Sequence, residues 1–84
     1  MSKNSIQLSN SSPEHNPHIF RLQLGDSIRQ IRESRGLTQE QLADQMSISR
    51  STISKIESGK FNFSIDYLSR FGDGLNFQII LKED

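Results

Sequence analysis

The chain has no cysteine, no tryptophan, two prolines and one tyrosine among its 84 residues. Without cysteine there is no disulfide framework, no thiolate metal site and no cysteine nucleophile, a usage that suits a reducing compartment. Charge of either sign is not in excess, because ten Lys/Arg balance ten Asp/Glu. A basic surface, the electrostatic footprint of a nucleic-acid binder, must therefore be local. Apolar runs are only a few residues long, far below the ~20 needed to span a bilayer, and no apolar signal core opens the chain. A soluble, cytoplasmic protein with no membrane partner is the expectation. Eighty-four residues hold one small core, too small to enclose a catalytic pocket, and the two histidines, His15 and His18, stand without a carboxylate or cysteine cluster beside them. No enzyme activity, no metal and no cofactor are expected.

What is present begins with a polar segment. Residues 1–18 are rich in Ser, Asn and Pro and contain two isolated aliphatics after Met1, too few to offset the entropy of ordering. They read as a flexible arm. Phe20, Leu24, Ile28 and Ile31 then recur at helical spacing, so a first helix starts near Pro17 to Arg21 and ends at about Arg35, where Gly36 can close it. Thr38-x-x-Gln41 is a capping-box pattern, and Leu42, Ala43 and Met46 give the apolar face of a second helix over about 38–45. After the two residues Ser47 and Ile48, Ser49 is a good N-cap, and Ile53 and Ile56 mark a third helix over about 50–57. Ser64 opens a fourth, with Asp66 in its first turn and Ile65, Leu68 and Phe71 as its buried face, which Gly72 and Gly74 are expected to stop.

The last segment alternates Phe77, Ile79 and Leu81 with Gln78, Ile80 and Lys82, a strand pattern. No second strand is legible elsewhere. A lone strand leaves its backbone amides unpaired, which favours pairing with the same strand of a second copy over a local hairpin or a cover on its own core. Phe77, Ile79 and Leu81 are thus the expected dimer interface of a homodimer. The expected organisation is an arm over 1–18, a helical domain over 19–74 and a dimerising strand over 75–84.

On the third helix, Ile53 and Ile56 point inward, leaving Arg50, Ser51, Ser54 and Lys55 outward and Thr52 at the margin. Short hydroxyls permit close approach of a helix to the major groove, and an arginine can bond guanine O6 and N7 bidentately, making Arg50 the leading specificity residue. Thr52 can also offer a methyl to thymine. Residues 19–60 hold seven Lys/Arg against five Asp/Glu, whereas residues 61–84 hold two against four. The helical half is the basic half. Gln39 opens the second helix, where free N–H groups suit a phosphate.

Leu37-Thr38-Gln39-Glu40-Gln41-Leu42-Ala43 followed by Ile48 through Gly59 resembles the Xre/Cro family of helix-turn-helix DNA-binding regulators, relatives of lambda repressor. The resemblance covers about residues 24–75. It implies an all-α, lambda-repressor-like domain of four helices with a short C-terminal strand pairing across a dimer, and a double-stranded DNA partner. It implies base contacts from Arg50, Ser51 and Lys55, with Thr52 and Ser54 as further candidates, and phosphate contacts from Gln39, Lys60 and Asn62. It also implies a structural salt bridge between Arg32 and Glu57. The C-terminal strand further resembles HipB-like antitoxins, which dimerise through such a strand; that branch implies a HipA-like kinase toxin as a protein partner. Two departures stand out: Ser47 occupies a turn position where the family often has glycine, and Gly72 and Gly74 interrupt the usual fifth-helix region.

Overall fold

The structure is a computed structural model that describes residues 5–9, 16–62 and 64–82. The elements run β1 (Ser5–Ser9), α1 (Pro17–Ser34), α2 (Gln39–Met46), α3 (Arg50–Glu57), α4 (Ile65–Leu75) and β2 (Gln78–Lys82). His15 and the rest of the 1–18 arm before Asn16, together with residues 83–84, lie outside the described residues apart from β1.

Local chemistry accounts for each helix boundary. Asn16 caps α1 by accepting from the His18 and Ile19 N–H groups at 3.0 and 3.3 Å, and Pro17 fills the first helical position, where no N–H is needed. Gly36, at φ +74°, closes the other end: its N–H bonds the Glu33 carbonyl at 2.9 Å while Leu37 N–H reaches Arg32 O at 3.2 Å, a Schellman turn. In α2 both halves of the capping box form, Gln41 N–H to Thr38 Oγ1 at 3.0 Å and Thr38 N–H to Gln41 Oε1 at 2.9 Å. Ser49 and Ser64 cap α3 and α4.

One core joins the four helices. Ile28, Leu42, Ile53, Ile56, Phe71 and Leu75 are its largest fully buried side chains. α1 and α3 meet with almost no space between their backbones. A Cβ built on Gly25 would overlap the Ile56 carbonyl oxygen and lie 2.9 Å from that of Glu57, so this contact requires glycine. Arginines complete the exposed helix ends: Arg35 donates to the Leu75 and Asn76 carbonyls, both at 2.9 Å, and Arg70 to Met46 O at 3.1 Å.

Four expectations change. Ile65, expected on the buried face of α4, is 78% exposed at the first position of that helix, while Leu68 and Phe71 are buried. The glycines do not stop α4, which runs through Gly72 and Gly74 to Leu75 before Asn76 turns left-handed at φ 56°. The two helical glycines cost about 1 kcal/mol each relative to alanine, and this is offset by the burial of Leu75 and Phe77, 1% and 8% exposed, at ~1.5–3 kcal/mol per side chain. The chain also contains a second strand: β1, within the expected arm, pairs in parallel with β2, matching Ile6 to Ile79 and Leu8 to Leu81. Those two aliphatics stand two residues apart, the strand period, and pairing matches them to the apolar positions of β2. The partner of β2 is therefore in the same chain, and the argument for dimerisation from a lone strand, with the HipB-like likeness built on it, loses its ground. Finally, Phe77, expected at a dimer interface, precedes β2 and is buried at 8% exposure in the core of its own chain, where its side chain serves packing.

Candidate nucleic-acid interface

α3 has eight residues, too few to persist alone in water. Its position is fixed by residues that do not face solvent. Ile53 and Ile56 are buried to 0% and 1% exposure, and Ser49 Oγ accepts from the Thr52 N–H at 3.1 Å. The turn before it is equally constrained: Ser47 adopts φ 58°, ψ 42°, and the Ile48 N–H bonds Ala43 O at 3.0 Å.

The far end of α3 is held by Glu57. Arg32 of α1 grips its carboxylate with two bonds, Nε to Oε2 at 2.7 Å and Nη2 to Oε1 at 3.1 Å, and donates Nη1 to the Leu37 carbonyl at 2.6 Å. The side chains are 9% and 4% exposed. Glu57 Oε1 also accepts from Gln39 Nε2 at 3.0 Å. The Arg32–Glu57 pair thereby links α1, the turn before α2, the first residue of α2 and the last residue of α3. Reading Gln39 only as the first residue of a helix assigned it to a phosphate and missed this bond; what Gln39 and Glu57 share is a position at an α2 or α3 end, and no periodicity in the sequence brings those ends together.

The residues left outside this framework form one face. Arg50, Ser51, Ser54 and Lys55 are exposed, and Thr52 is half-buried at their edge. Lys60 and Asn62, in the loop after α3, are exposed as well, and the Lys60 N–H bonds Lys55 O at 2.8 Å, which ties that loop to the helix. Among the described residues, no ion pair engages Arg50, Lys55 or Lys60. Their charge is open to an anion. Carboxylate neutralisation occurs elsewhere, on the outer face of α1, where the Arg29 guanidinium bonds Asp26 at 2.6 Å and holds its carboxyl below the ordinary range. Ile79, at 38% exposure, remains on the surface of β2, and Leu81 is in register with Leu8.

Two short helices joined by a tight turn, the second presenting a polar and cationic face while its apolar face is packed on a preceding helix, define a helix-turn-helix domain. The chain belongs to the HTH_3 helix-turn-helix family of Xre/Cro type, whose model matches residues 28–79. It is 38% identical over 56 residues to the immunity repressor protein of Bacillus phage phi105, a match covering 67% of this chain and 39% of that protein. It is 49% identical over 39 residues to the HTH-type transcriptional activator BcrR of Enterococcus faecalis, covering 46% of this chain and 19% of that protein. The chain thus spans less than half the length of either relative. Among solved structures, the restriction-modification controller protein C.AhdI from Aeromonas hydrophila superposes with a TM-score of 0.70 at 27% identity, covering 75% of this chain and 91% of that one. The clp gene regulator ClgR from C. glutamicum gives 0.68 at 26% identity, covering 81% and 83%. By name these proteins are a repressor, a transcriptional activator, a controller protein and a gene regulator, and members of the family bind DNA. Among the described residues, no helix is long and apolar enough to cross a membrane, and no cluster of His, Asp or Glu could hold a metal.

Proposed function

We propose that the protein is a sequence-specific transcriptional repressor that binds a near-palindromic operator as a homodimer and occludes a promoter. The observation that carries this reading is the division of α3 into a buried side, Ile53, Ile56 and Glu57, and an exposed side of Arg50, Ser51, Ser54 and Lys55. The exposed side chains are short or cationic. That combination suits the major groove, where Arg50 can pair with guanine and the serines allow the helix close to the base edges. Gln39, Lys60 and Asn62 flank the helix at positions suited to phosphates, which fix register without specifying sequence. For Gln39, one amide hydrogen is held by Glu57, and the second is available to a phosphate oxygen. One named relative is a repressor and the other an activator, so the sign of regulation in this proposal rests on occlusion of the promoter by the bound dimer.

Two-fold symmetry matches a palindrome, with half-sites centred about 10 bp apart or a multiple of it. A two-stranded sheet leaves each strand one unpaired edge, so β2 retains an edge for a second copy through Ile79 and Leu81, now beside β1 instead of alone. The test is recovery and sequencing of genomic fragments bound by the purified protein, followed by footprinting. Arg50→Ala is expected to relax preference at one position per half-site by ~1–3 kcal/mol, whereas a lost phosphate contact at Lys60 weakens all sequences alike. Protection of a single isolated half-site would refute the dimeric reading, and indifference to sequence at low salt would refute the whole.

A further inference from the structure

The first turn of α3 carries more hydroxyl chemistry than its cap requires. Ser49 Oγ satisfies the cap by accepting from the Thr52 N–H. The same oxygen lies 2.8 Å from Thr52 Oγ1, an ordinary O–H···O bond length, and 3.3 Å from Ser51 Oγ, which is long for one. The Thr52 hydroxyl is thus turned back onto the cap of its own helix. A threonine bears two groups on Cβ, and here one of them is engaged. The bond fixes Oγ1 toward Ser49 and occupies one of the hydroxyl's three hydrogen-bonding positions, whereas presenting the methyl involves no bond at all.

Thr52 is half-buried between exposed Ser51 and buried Ile53, at the margin of the exposed face. In the major groove thymine alone carries a methyl group, and a threonine methyl is among the groups that pack against it. Resting on the reading of α3 as the major-groove helix, we propose that Thr52 reads one thymine per half-site through its methyl group, its hydroxyl serving the helix cap and taking no part in base recognition. Ser51 differs: its Oγ is held only at 3.3 Å and stays free to bond a base edge. One turn of helix therefore pairs a hydrogen-bonding reader with an apolar one.

The test replaces each thymine of the recovered operator by deoxyuridine, which removes only the C5 methyl, and measures affinity for the wild type, Thr52→Val and Thr52→Ser. One position per half-site is expected to lose about fourfold in affinity with the wild type, the equivalent of one buried carbon. Thr52→Val, which keeps a methyl and lacks the hydroxyl, retains that uracil penalty; Thr52→Ser, which keeps the hydroxyl alone, abolishes it. Each ratio compares two DNAs on one protein, so partial unfolding of a variant cancels. A penalty that vanishes with valine and survives with serine would assign the reading to the hydroxyl and overturn the proposal. So would a flat uracil scan from a wild type that still selects its operator. A wild type that selects no sequence at all overturns the parent reading instead.

Discussion

Replacing Arg32 by alanine should damage folding far more than DNA recognition. The guanidinium makes two bonds to Glu57, at 2.7 and 3.1 Å, and one to the Leu37 carbonyl at 2.6 Å. In Arg32→Ala the Glu57 carboxylate, 4% exposed, keeps only Gln39 Nε2 as a side-chain donor and becomes a buried anion without a counter-charge. Breaking one partner of such a pair costs ~3–5 kcal/mol, against ~0–1 for exposed pairs. For a domain of this size each kcal/mol lowers Tm by ~4–8 °C. The loss should therefore be at least about 12 °C in a thermal melt followed by circular dichroism. Replacing both partners by apolar residues of similar size, Arg32→Met with Glu57→Leu, should recover much of it, because neither charge is then stranded. At a temperature where Arg32→Ala is still folded, its operator affinity should stay within a few-fold of wild type. A melting temperature unchanged in Arg32→Ala would refute the assignment of this pair as the clamp between α1 and α3.

Three further outcomes follow from the geometry. Ser47 sits in the left-handed region at φ 58°, so Ser47→Gly should stabilise by up to ~1 kcal/mol, as the relief of strain exceeds the entropy glycine adds to the unfolded chain; a lower Tm would refute the strain. Gly25→Ala would drive a methyl into the Ile56 carbonyl, and since backbone cannot swing aside it should cost ~1–3 kcal/mol or more and weaken DNA binding by displacing α3. An unchanged melt would show that α1 and α3 can separate freely. The Asp26 carboxyl is held below its ordinary value of 3.8 by the Arg29 hydrogen bond, so its contribution is present above that value and lost as pH falls through the lowered one. Melts of wild type and Asp26→Asn should converge in strong acid, and a gap that widens there would reverse the sign.

Most of the helical architecture was legible because its signals are local. The α2 capping box, the Ser49 and Ser64 caps and the closing glycine after α1 each involve residues within a few positions of one another, and the structure has all of them. The errors arose where a distant contact outweighed a local preference. Gly72 and Gly74 argue for a helix end until Leu75 finds its place in the core. Ser5–Ser9 has a strand's alternation over only five residues, and a segment so short declares itself only through its partner seventy-odd residues later. In the candidate interface, the outward positions of Arg50, Ser51, Ser54 and Lys55 followed from the spacing of Ile53 and Ile56. The bond from Gln39 to Glu57 did not, since it depends on how two helix ends meet in space.

This separation of duties explains how the domain can keep a shape while changing what it reads. Among the described residues, the side chains that hold α3 in place are those of Ser49, Ile53, Ile56 and Glu57, beside the close backbone approach at Gly25 and the backbone bond from Lys60 to Lys55. The four exposed residues contribute little to that framework beyond helix propensity, which differs among Arg, Lys and Ser by only a few tenths of a kcal/mol. Substitution there alters the groups offered to a partner at almost no cost in folding. Thr52 is where the two duties meet: its amide and hydroxyl both bond the Ser49 cap, while its side chain is half-buried at the margin of the exposed face.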